Sequence, residues 1–249
     1  MLCEEGRPVV STAPSVQTAV DLYAKALRAP RSLFDLYPNP RPQAPPKKPL
    51  RSVPPAVVQS VTAAFEAFAE ELVVINLVRS GATWAQIAKN ANMTNPTLRD
   101  LCTTLKHSSG VDISAPKDEQ GDAYSWKLWK QTSDTGWSLS DKMDWDGLLT
   151  SSEGWMQVRH CLAHGLTTGT EPAFWPGPVT GKSHANQSSV PTASSVLARS
   201  SGSRRALTLY PALNCATVYS HGGAHIAVQV AESLNEKVDY SGLTVFDDV

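Results

Sequence analysis

The chain has 249 residues, 41% of them hydrophobic, enough for one sizeable core or two small ones. Its 22 Lys and Arg against 23 Asp and Glu leave a formal net charge of −1, which argues against coating nucleic acid by bulk charge but leaves room for a local basic site. Cys3, Cys102, Cys161 and Cys215 form no CxxC pair, the N-terminus has no charged-then-apolar signal pattern, and no apolar run nears the roughly 20 residues that span a bilayer; this predicts a cytoplasmic chain without disulfides, structural zinc or a membrane partner.

Residues 16–28 place Val16, Val20, Tyr23 and Leu27 on one side of a short helix, within an N-terminal extension of residues 1–37. From 38 to 55 repeated prolines remove backbone donors and force extended neighbours, so a linker is predicted and the main domain is expected to begin near Ala56. Val57, Val61, Phe65, Phe68, Leu72 and Ile75 then recur at steps of three and four, the apolar face of a helix ending near Arg79. Beyond Gly81, residues 83–105 read as two shorter helices, with Asn95 or Thr94 capping the second, Pro96 at its first position, and Leu98, Leu101 and Leu105 facing inward.

Residues 107–140 are polar and broken by glycines and Pro116, yet Trp126, Trp129 and Trp137 give them area to dock as an ordered loop. Thr150 and Glu153 have capping-box spacing, and Trp155, Val158 and Leu162 continue a helix to His164 and Gly165. Residues 166–205 lack periodicity apart from the anchors Phe174 and Trp175, which predicts an insertion loop. A last helix is read over 212–238, where Gly222 and Gly223 suggest close approach of another helix, followed by a tail over 241–249. No run alternates as a strand, so the fold class is all-α.

The segment from Val158 to Gly165 holds the residues suited to chemistry. Arg159 carries a permanent charge on a planar fork that matches phosphate oxygens, His164 can take or give a proton near neutral pH, and His160 would orient or assist. Such groups suit RNA cleavage by the neighbouring 2′-hydroxyl, which needs proton transfer and charge stabilisation and no metal or other cofactor. Five residues at about 100° each put Arg159 and His164 about 140° apart on a straight helix, so a two-fold dimer with a composite site is expected. A plainer reading has the histidine satisfying helix-end carbonyls and Arg159 paired with a surface acid.

The order Arg159, His160, Ala163, His164, Gly165 resembles the hallmark of the HEPN superfamily, in particular its RiboL-PSP-HEPN-like prokaryotic branch. Phe65-Glu66-Ala67-Phe68, Thr94-Asn95-Pro96 before Leu98 and Leu101, and Trp126-Lys127-Leu128-Trp129 support the likeness over roughly residues 56–240. The resemblance implies a helical bundle that dimerises through the motif helices and cleaves RNA without metal, often as a toxin or phage-defence effector with an antitoxin or sensor partner. Arg159 and His164 would be catalytic, with His160 at a position where the family more often has Asn or Asp.

Three other features bear on function. Residues 82–106 also resemble a helix-turn-helix, with Asn92 at the turn and Arg99 and Lys106 as its only cations, which would make the chain a DNA-binding regulator. A HEPN-like bundle without turnover, acting only as a dimerisation or binding module, is the third reading. Arg204 and Arg205 are candidates for RNA phosphate contacts, while His221 and His225, four apart, lack the further ligands zinc needs.

Overall fold

A computed structural model describes residues 14–36, 51–131, 137–164, 175–176, 197 and 207–247. Most of the proline-rich segment, Gly165, Phe174, Arg204 and Arg205 lie outside them. The described residues hold six α-helices, Val16–Asp35 (α1), Val53–Arg79 (α2), Trp84–Ala91 (α3), Leu98–Ser109 (α4), Trp145–His164 (α5) and Leu209–Ser233 (α6). Strands Trp126–Gln131 (β1) and Trp137–Met143 (β2) pair antiparallel between α4 and α5. The described residues are mostly helical, in keeping with the expected helical class, and this hairpin corrects the expectation that no run forms a strand. No described helix is long and apolar enough to cross a membrane.

α2 is the central element, packing against every other α-helix described. All six residues of its expected apolar stripe are buried, and so are Val58, Thr62, Ala69, Val73 and Asn76 on its other sides. Its start precedes Ala56 because Pro54 and Pro55 fall in the first turn, where amide protons have no helical acceptor to lose. α1 outruns residue 28 for a related reason. Its stripe continues in steps of three and four from Leu27 through Pro30 to Phe34, all buried, so burial of the proline ring offsets the missing N–H. Tyr23 stacks on Phe68 with ring centroids 4.5 Å apart, and Phe65 meets Tyr219 of α6 at 4.8 Å, so α1, α2 and α6 share one core. Residues 241–247 close over α1, with Phe246 edge-on to Phe34 and the Arg31 Nε donating to the Val245 carbonyl at 2.9 Å.

The hairpin is hard to see in the sequence because its alternation is short. Trp126 and Leu128 are buried and Lys127 is exposed, but the register shifts between Leu128 and Trp129 and breaks the pattern. Asn214 of α6 completes its outer edge: the side-chain amide accepts the Trp129 N–H at 2.8 Å and donates to the Trp129 carbonyl at 2.9 Å. α6 ends at Ser233, short of the expected 238. Asn235 takes φ 57°, and the Glu236 and Asn235 amides donate back to the Ala231 and Glu232 carbonyls at 2.8 and 3.1 Å, which closes the helix.

The glycine expectation holds. A Cβ on Gly222 would collide with Leu98 Cδ1, and one on Gly223 would sit 3.0 Å from Tyr23 Cε1. Because Leu98 is fully buried and meets that Cβ with three of its atoms, Gly222→Ala should destabilise by about 1–3 kcal/mol despite the better helix propensity of alanine. Thermal denaturation of the single variant and of its combination with Leu98→Ala measures this, the combination costing less than the sum of the two.

Candidate active site

α5 carries the expected motif but starts before the expected cap. Asp144 is the cap, its carboxylate accepting the Gly147 N–H at 2.8 Å, so Thr150 and Glu153 fall inside the helix. They serve as a clamp between helices instead: Arg99 of α4 donates through Nε to Glu153 at 2.6 Å and through Nη2 to Thr150 at 3.4 Å. Beneath the motif, Trp155, Val158 and Cys161 anchor α5 in the core, and burial raises the Cys161 thiol. Such a helix holds its last turn in a fixed direction.

Arg159 is half-buried and its Nη2 donates to Glu66 of α2 at 3.3 Å. The other Glu66 oxygen accepts the Asn95 N–H at 3.1 Å. Asn95 adopts φ 53°, whereas Asn92, expected at the left-handed position, has φ −79°. Thr97, not Asn95 or Thr94, caps α4, in a reciprocal pair with Asp100, and Pro96 precedes the cap. A single carboxylate thus ties α2, the turn before α4 and α5 together. Glu66→Ala should cost about 1–2 kcal/mol by leaving a half-buried guanidinium and an amide unpaired, and Glu66→Gln should recover part of it through Asn95. Urea titration of both variants checks this.

His160 and His164 come together, with ring centroids 4.5 Å apart and planes at 51°. His164 is exposed, while His160 is half-buried and lines an open groove of about 360 Å³ with Asn95, Thr97, Asp100, Glu153, Met156 and Gln157. Positions four apart lie about 40° apart around a helix, so the imidazoles share a face and Arg159 turns away from them. The structure therefore joins the two histidines, and Arg159 goes to Glu66. A neighbouring imidazole pair can hold one neutral and one protonated ring, the arrangement that moves a proton off one atom and onto another.

The remaining candidates are engaged elsewhere. His221 Nε2 lies 2.9 Å from an Asp247 carboxylate oxygen, and His225 Nε2 lies 2.8 Å from the Ser114 carbonyl. Burial beside Trp126 and Trp145 lowers the His225 pKa. No group of three His, Cys, Asp or Glu side chains able to hold a metal occurs among the described residues. Cys102 is pushed up to about 12 by burial, as befits an inert packed thiol.

Asp100 and Gln157 line the groove without forming any motif in the sequence, while Glu66, Asn95 and Glu153 are read there only as parts of a family-like segment, a cap and a capping-box spacing. Glu66 offers one signal, a carboxylate set between phenylalanines of an apolar helix. No family model matches the chain, and neither a curated protein nor a solved structure was found to match it.

Proposed function

We propose that the chain is a metal-independent endoribonuclease in which His160 and His164 form the acid–base pair. The observation that carries this reading is the approach of the two imidazoles to 4.5 Å on the accessible end of a helix, one of them lining an open groove. One neutral imidazole takes the proton of a ribose 2′-hydroxyl as its oxygen attacks the phosphorus. The other, protonated, gives its proton to the departing 5′-oxygen as the P–O bond breaks. The products are a 2′,3′-cyclic phosphate and a 5′-hydroxyl.

Arg159 supplies charge stabilisation from a second copy. Among the described residues only one of its five N–H groups is committed, to Glu66 at 3.3 Å, and its direction on α5 separates it from its own imidazoles. Two-fold pairing of α5 ends would set one protomer's guanidinium against the other's histidines, which makes a homodimer part of the proposal. The Arg159-to-His164 spacing supports a HEPN-like identity, and with it the role of a toxin or defence effector held by an antitoxin or sensor protein.

The helix-turn-helix reading has weaker support, since Arg99 is clamped by Glu153 and the exposed start of α4 also carries Asp100. A purified chain incubated with unstructured RNA in EDTA should yield fragments ending in 2′,3′-cyclic phosphate. Intact RNA, or ends bearing 3′-hydroxyls, would overturn the reading.

A further inference from the structure

The hairpin presents an outer face that the core does not use. Lys127 of β1 stands directly opposite Lys142 of β2, both exposed, and among the described residues neither joins an ion pair. Directly opposed residues of an antiparallel pair have Cβ atoms about 5 Å apart on the same face, where like charges destabilise the ladder. Next along the ladder, past the register shift, Trp129 is partly buried against the core and opposes Leu139, which is 44% exposed. At the Gln131–Trp137 end of the ladder Trp137 stacks on Tyr210 at 4.5 Å with an interplanar angle of 20°, and Trp129 meets the same tyrosine at 4.8 Å. All three rings are half-exposed.

The Gln131–Trp137 end of the ladder lies at the imidazole end of the bundle. α6 runs antiparallel to α5, because Trp145 meets His225 at one end and the Tyr219 hydroxyl donates to the Ser152 carbonyl midway. From Ser152, His160 is about 12 Å along α5, and from Tyr219, Tyr210 is about 14 Å along α6 in the same direction. The aromatic stack and His160 thus lie at about the same height along the bundle, with His164 one turn beyond.

From this we infer that the outer face of the β1–β2 hairpin is a docking surface for single-stranded RNA, leading the strand toward His160 and His164. Lys127 and Lys142 take backbone phosphates, whose charge removes the repulsion between them, and the partly open rings of Trp129 and Trp137 offer faces on which bases stack. In a chain of net charge −1 this supplies the local cationic site that bulk composition does not. The inference rests on the ribonuclease reading for its choice of RNA over another polyanion.

The test is fluorescence anisotropy of a labelled oligouridine over a salt series, using the full chain carrying His160→Ala and His164→Ala to prevent turnover, with and without Lys127→Ala and Lys142→Ala. Removing both lysines should weaken binding at least tenfold and reduce the slope of log affinity against log salt by about 1.4, roughly 0.7 for each phosphate that is no longer neutralised. The melting temperature should hold or rise as the like-charge pair disappears, and Lys127→Arg with Lys142→Arg should retain binding. Equal affinity and salt slope with and without the lysines, or no oligouridine binding at all, would overturn the surface. Cleavage by the unaltered chain is scored separately: oligouridine binding that depends on the lysines without cleavage overturns the ribonuclease reading alone, and cleavage with lysine-independent binding overturns the surface alone.

Discussion

Replacing His164 by alanine should slow metal-free RNA cleavage by about 10²- to 10⁴-fold, the usual worth of a positioned proton-transfer group, and His160→Ala should do the same. Folding should survive both changes, because His164 is exposed, His160 borders open solvent, and neither is held by a hydrogen bond among the described residues. The loss should fall on kcat, with KM little changed, since proton transfer belongs to the transition state rather than to substrate binding. The double variant gives the decisive comparison. If the rings work as one acid–base unit, the double loss stays near the larger single loss, as expected for groups that act together. Single losses that multiply would show two independent contributions, and the paired mechanism would then be wrong.

How much of this is legible in the sequence depends on how local the determining interactions are. The α2 stripe can be read because six apolar residues repeat without interruption over five turns, and every one of them is buried. Gly222 and Gly223 can be read because glycine inside a helix costs about 1 kcal/mol each and demands a reason, here Leu98 and Tyr23. Capping is harder. The Thr150–Glu153 spacing imitates a capping box, but whether it caps depends on where the preceding chain turns, and Asp144 takes that role one and a half turns earlier.

Helix stops mislead in both directions. Pro30 does not end α1, because the core gains its ring, whereas Asn235 does end α6 by adopting a positive φ. At the site, the order of Arg159, His160 and His164 is plain from sequence, but not which of them meet. The 140° between Arg159 and His164 signals trouble for that pair. That His160 sits only about 40° from His164 is equally computable and carries the better answer. Glu66, 93 residues before Arg159, cannot be assigned without knowing how α2 and α5 cross.

The scaffold beneath those histidines makes the second large prediction. Trp155 is completely buried on α5, five residues before His160, and its ring meets Trp175 edge-on at 5.7 Å. Trp155→Ala should therefore cost about 3–5 kcal/mol through reduced apolar burial and the cavity left behind. For a chain of this length that lowers the melting temperature by roughly 6–20 °C. The indole also carries a liability, since its Nε1–H is buried without a hydrogen-bond partner among the described residues. An unpaired buried donor costs about 1–3 kcal/mol, so Trp155→Phe, which keeps a ring and deletes that donor, should lose only about 1–2 kcal/mol. Calorimetry on both variants separates the terms. A phenylalanine variant as unstable as the alanine one would show that the indole N–H is satisfied in solution, and that ring shape alone does not explain how α5 is anchored. With the predicted gap between them, the phenylalanine variant should hold His160 and His164 in place and retain cleavage at temperatures where the alanine variant has lost its fold.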